Sequence, residues 1–183
     1  ALDTARATGD RPAEGRILGA LGRLHHEHGL GTEAAAHYEA AIAVHREVGD
    51  RAASAIDLGN LASLRRQQGA DDDAIALFIE AEAAHRDAGN LRGRGGVLAN
   101  LALLHHEEGR LERAAGLYLS AIQLYQQAGE AHREAQAIGL WGLAAAAVVV
   151  LAVSLARRPS SPGIGGGAPG QVLSELDELS AAE

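Results

Sequence analysis

Apolar residues along this chain fall in a pattern that returns. Leu18, Leu21 and Leu24 stand three apart, as do Leu58, Leu61 and Leu64, and then Leu98, Leu101 and Leu104. A second set follows each of these: Ala34, Tyr38 and Ala41, then Ala74, Phe78 and Ala81, then Ala114, Tyr118 and Ala121. Spacings of three and four put side chains on one face of a 3.6-residue helix. Each set lies 40 residues from its counterpart, so the chain predicts units of two helices stacked in series.

Glycine and short polar residues punctuate the helices. Gly9, Gly49, Gly89 and Gly129 share the 40-residue spacing, and Gly29, Gly69 and Gly109 form a second series with it. Glycine just past a helix suits the left-handed cap that ends it. Asp10, Asp50, Asn90 and Glu130 follow the first series. Aspartate or asparagine there can accept a backbone N–H and open the next helix. Asp71, Asp72 and Asp73 also open a helix, where carboxylates meet the positive end of the dipole. Gly22, Ala62 and Ala102 are small enough for two helices to approach closely. One aromatic of each unit, Tyr38, Phe78 or Tyr118, is expected to fill the space between successive hairpins. No hairpin of this kind buries its apolar face alone, so stacking is obligatory. The fold class is all-α, a solenoid of antiparallel helix hairpins.

These residues resemble the tetratricopeptide repeat family. Leu18, Leu21-Gly22, Gly29, Ala34, Tyr38 and Ala41 supply its pattern, and the next two units match with Ala62 and Ala102 in place of Gly22. His25, Arg65 and His105 stand where the family carries an aromatic, which predicts looser packing between paired helices. The unit length is similar to the long-helix subclass of kinesin light chains, Pins-type spindle proteins and bacterial Rap regulators. The likeness covers residue 1 to about residue 145.

The resemblance implies a right-handed superhelical solenoid that binds a protein or peptide partner and is not an enzyme. It places the first helix of each unit on the concave face. The inner stripe then reads Arg16, Ala20, Arg23 and Glu27, next Ile56, Asn60, Ser63 and Gln67, and next Gly96, Asn100, Leu103 and Glu107. Members with long repeats use asparagines at the position of Asn60 and Asn100 to hold peptides. An amide donates and accepts together, so it can hold an extended backbone without reading its sequence. His26, Arg66 and His106 fall at the groove edge, and arginines there suit acidic side chains or a carboxylate. The expected peptide-binding set is Arg23, Asn60, Ser63, Arg66, Gln67, Asn100, Leu103 and His106. The bland alternative is that the asparagines only bond neighbouring helices.

Residues 1–10 align with residues 41–50, so Ala1 takes the place of Ala41 partway along a second helix. The expectation is the C-terminal part of a larger bacterial signalling or assembly protein. Its organisation is read as half a unit at 1–10, and three repeats at about 11–49, 50–89 and 90–129. The start of a fourth carries the repeats to 137, and an apolar helix follows over 138–158. A Gly/Pro/Ser linker over 159–170 and a short amphipathic segment over 171–183 complete the chain. Residues 138–156 carry no charge. They read either as a capping helix or as a membrane anchor, since nineteen residues at about 1.5 Å each reach roughly 28 Å. A seam for self-association is the third reading. Localisation is accordingly cytoplasmic or membrane-associated through 138–156.

Composition narrows the chemistry. The net charge of −8 opposes a phosphate-backbone binder, so no nucleic acid is expected. The chain has no cysteine, which excludes disulfides and cysteine-held metals. Nine histidines invite a metal reading. However, His25, His26 and His28 lie two units from His105 and His106, roughly 20 Å at the spacing of packed helices. Within a cluster, His25 and His28 give only two ligands where a structural site needs four. Ser54, Ser63 and Ser120 lack a nucleophile-elbow context, and the glycine-rich run at 93–100 lacks the lysine of a phosphate loop. No catalytic residue, metal or cofactor is expected.

Overall fold

The computed structural model describes residues 1–130, 132–134 and 136–142. Helices follow one another along this stretch: α1 (Leu2–Thr8), α2 (Arg11–Glu27), α3 (Gly31–Glu47), α4 (Arg51–Gln67), α5 (Asp71–Asp87), α6 (Leu91–Glu107) and α7 (Leu111–Gln127). Residues 132–134 and 136–142 are helical too, and no strand occurs among the described residues.

The helix boundaries follow from a few residues. The glycines at 9, 29, 49, 69, 89, 109 and 129 all have φ between 65° and 77°, a region that costs glycine nothing and other residues a Cβ clash. At each, two backbone bonds close the helix, as where Gly49 N–H donates to Arg46 and Asp50 N–H to His45. These are the paired bonds of a Schellman ending. Asp10, Asp50 and Asn90 then accept from the N–H of Ala13, Ala53 and Gly93 at 2.9, 3.0 and 2.9 Å. The helices α3, α5 and α7 have no side-chain cap. Carboxylates stand in their first turns instead, with three of them in α5.

Packing within the hairpins α2–α3, α4–α5 and α6–α7 rests on the repeated small and aromatic residues. Ala34, Ala74 and Ala114 are fully buried, as are Ala41, Ala81 and Ala121. Tyr38, Phe78 and Tyr118 are at most 1% exposed. Phe78 belongs to a core cluster running from Ala34 to Leu104, which joins the first two hairpins to α6. The aromatics do more than fill the space between hairpins. A Cβ added at Gly22 would sit 2.6 Å from the Tyr38 ring. The first hairpin therefore cannot take the alanine of the other units unless that ring moves.

At the position of the missing family aromatic stand polar side chains with differing contacts. His25 stacks on His37 of the partner helix with ring centroids 4.9 Å apart. Arg65 reaches Glu39 at 3.1 Å, and the buried His105 lies 3.2 Å from Glu108. The first contact joins the paired helices of a hairpin, the second joins successive hairpins, and the third lies at the end of one helix.

Curvature follows from which helices touch. The first helices of successive hairpins contact one another, α2 with α4 and α4 with α6, whereas α3 and α5, or α5 and α7, do not. The first helices thus line the inner, concave side. Among the described residues no helix is long and apolar enough to cross a membrane. Most of the 138–158 segment, the linker and the C-terminal segment lie outside the described residues, so the anchor, cap and seam readings fall there.

Candidate functional site

Two recesses on the concave side of the described residues, with the groove edge, take up most of the expected binding residues. The larger, of about 420 Å³, lies between α4 and α6 and is lined by Asn60, Ser63 and Asn100 together with Ile56, Gly59 and Gly96. Backbone shape makes room for it. Glycines 59 and 96 project nothing into the space, and a Cβ at Gly59 would meet only Val97, at 3.9 Å. Ser63 donates to the carbonyl of Gly59 at 2.9 Å, which leaves its oxygen lone pairs as acceptors.

Asn60 Nδ2 is buried without a hydrogen-bond partner. Among the described residues, no side-chain hydrogen bond ties Asn60 or Asn100 to a neighbouring helix. Their counterpart in behaviour is Asn90, which is fully used: its oxygen caps α6 and its nitrogen lies 3.3 Å from His85. Buried amide groups left unpaired are uncommon, because each costs its desolvation.

The groove edge is built differently. His26 Nε2 lies 2.9 Å from Gln67 Oε1. Arg66 donates to both oxygens of Glu107, each at 3.0 Å. Both contacts strap one first helix to the next. Arg66 and Gln67, expected to face a partner, are thus engaged within the solenoid. Leu103 and His106 are half-buried on α6 and do not line the asparagine recess.

Arg23 belongs to the second recess, of about 240 Å³, between α2 and α4. Arg16, Gly19 and Ala20 line it from α2, Asp57 and Ile56 from α4, and His45 from α3. Asp57 is 5% exposed and accepts no hydrogen bond among the described residues. His45 Nε2 lies 3.5 Å from its Oδ2. Burial pushes the Asp57 carboxyl up to about 6, against a downward pull from Arg23. Burial also holds His45 below the usual histidine range, with Asp50 pulling it up and Arg16 down. Sequence reading missed this pair. The available signal was the repeat itself: Asp57 is followed at 40-residue steps by Val97 and Ala137.

This asymmetry predicts that Asp57→Val stabilises the fold at pH 7 by roughly 1–2 kcal/mol, as replacing a poorly compensated buried charge by an apolar side chain commonly does. The sign in pH follows from the raised pKa. A folded carboxyl near 6, against about 3.8 when exposed, favours folding most below the lower value and loses that contribution as pH rises through the upper one. The advantage of valine should therefore shrink as pH falls from about 7 to about 4. The difference between the two proteins in urea unfolding checks this. Comparing them is necessary because burial lowers His37, His45, His85 and His105 as well. Those histidines favour folding above about 6.5 and lose that contribution as pH falls.

A third depression, of about 450 Å³, lies on the other side between α3 and α5, with Ile42, Leu58, Leu61 and Leu77 in its floor. Its charges largely satisfy one another, through Arg46–Glu80 and Arg65–Glu39. No group of three metal-ligating side chains occurs among the described residues.

Comparison with known proteins gives a consistent result. Tetratricopeptide repeat family models match residues 16–48, 58–91 and 97–132. No curated protein matches the chain. The crystal structure of BtubC (BKLC) from P. vanneervenii is similar, at 17% identity and a TM-score of 0.57, over 86% of this chain and 70% of that one. So are nearly identical TPR-like repeats of a Podosopora anserina protein assigned as a kinesin light chain, at 18% identity and a TM-score of 0.56. That likeness covers 82% of this chain and 80% of the other. At such identities the likeness is one of fold.

Proposed function

Since this chain belongs to the tetratricopeptide repeat family, whose members are protein-interaction scaffolds and typically not catalysts, we propose that it holds an extended peptide on its concave face. The observation that carries this reading is the pair Asn60 and Asn100, whose side-chain amides share one recess, make no side-chain hydrogen bond among the described residues, and include a buried, unpartnered Asn60 Nδ2. Each can accept a backbone N–H and donate to a backbone carbonyl. They sit on neighbouring first helices, about 8–10 Å apart at ordinary helix spacing. Roughly three residues of extended chain, at about 3.3 Å each, span that distance. Ile56 stands beside them, half exposed, and offers apolar contact to the same segment.

Photo-crosslinking tests the face used. A peptide is first selected from a random library for binding to the wild-type protein. A benzophenone side chain is then placed at Gly96 on the concave side or at Ile79, which is exposed on α5. Crosslinking of the selected peptide from position 96 and not from 79 is the expected outcome. The reverse pattern would overturn the reading.

A further inference from the structure

The recess at Asp57 is separate from the asparagine pair and contains a charge that the fold does not require. The repeat shows this directly. The position of Asp57 holds Val97 and Ala137 in later units, and both are buried there. The carboxylate fits a niche left by a glycine, since a Cβ at Gly19 would sit 2.8 Å from Oδ1. In the next unit, Gly59 faces Val97 across ordinary contact distance. A buried carboxylate without a hydrogen bond is costly, and Asp57 lines the recess with no hydrogen bond among the described residues, His45 Nε2 at 3.5 Å from Oδ2 being its ionic neighbour.

The rim adds the second half of the site. Three arginines of the described residues, Arg16, Arg23 and Arg113, form no ion pair with a carboxylate, while the others all do. Two of the three line this recess. The two arginines oppose a cationic group, and the buried carboxylate opposes an anionic one. A neutral group carrying both a donor and an acceptor satisfies both ends. The volume of about 240 Å³ admits the end of a side chain, whereas a continuous backbone would pass over the mouth.

We propose that this recess is a subsite for a primary carboxamide, the side-chain end of a glutamine or asparagine in the bound segment. The carboxamide N–H groups donate to Asp57, and its oxygen accepts from Arg23 or Arg16. The source of the carboxamide rests on the concave-face reading above, but the chemistry of the recess can be tested without any peptide.

The test is a ¹⁵N NMR titration of the full chain with N-acetylglutamine N-methylamide. The comparison ligands are the alanine, glutamate and lysine analogues, which present backbone amides alone, an anion or a cation. Saturable shifts of the Gly19, Ala20 and Asp57 amides with the glutamine derivative are expected. The other three ligands should bind about tenfold more weakly or not at all, the cost of leaving a charged partner unbonded. Asp57→Val, which installs the residue found at position 97, should remove the response while leaving the rest of the spectrum folded. Asp57→Ala, the residue at 137, serves if valine crowds Gly19. Absence of saturable shifts, an equal response in the folded variant, or preference for any other analogue would each overturn the proposal. None of those results bears on Asn60 and Asn100, which the peptide experiments address separately.

Discussion

Replacing Phe78 by alanine is expected to cost about 3–5 kcal/mol of stability, the range for a fully buried aromatic that leaves a cavity. The ring is wholly buried in the central hairpin. It belongs to the cluster that includes Tyr38 and Ile42 of the preceding hairpin, Leu58 and Leu61 of its own, and Val97, Leu101 and Leu104 of the next. In a solenoid each unit contacts only its neighbours, so stability is roughly a sum of unit and interface terms. A cavity at Phe78 weakens both interfaces of the central unit at once. Against a total of about 5–15 kcal/mol for an ordinary domain, the loss is large. For a chain of this size it corresponds to a fall in Tm of roughly 6–20 °C. Thermal and urea unfolding of Phe78→Ala measure it. A loss below about 1 kcal/mol would show that the hairpins are held by something other than this core.

The second large effect is on binding. Asn60→Ala together with Asn100→Ala should weaken capture of a library-selected peptide by about 100-fold, taking each lost backbone contact as roughly tenfold. Stability should not fall with it. Among the described residues neither amide bonds another side chain, and Asn60 Nδ2 is buried without a partner, so its removal relieves a desolvation cost. The double variant separates binding from folding, which the straps at the groove edge cannot do. Removing Arg66 would also break the link to Glu107, and an affinity loss there would carry a structural component. Calorimetric titration beside thermal unfolding reads both quantities.

The parts of this structure that repeat were legible, and the parts that differ between units were not. Glycines at 40-residue steps mark left-handed caps because the steric rule acts on a single residue, and Asp50 or Asn90 caps its helix through a bond only three residues long. The inner stripe was legible for Asn60 and Asn100 because helical periodicity and the family likeness place both on one face. The straps His26–Gln67 and Arg66–Glu107 join residues 41 apart, one position off the repeat. They depend on how far one first helix slides along the next, which no local rule fixes. His25 against His37 likewise depends on the approach of two helices within a hairpin. Asp57 was hidden for another reason. A single carboxylate on a helix ordinarily faces water, and here a glycine on the preceding hairpin, Gly19, creates the niche that buries it.

The side-chain amide signals of the asparagines test the central claim most directly. The chain has three asparagines, and Asn90, which borders the same recess, has its oxygen already bound to the Gly93 N–H. On titration with a selected peptide, the NH₂ resonances of Asn60 and Asn100 should both shift and exchange more slowly with water. Saturable binding of the peptide with the Asn60 and Asn100 signals left at their free positions would contradict the account.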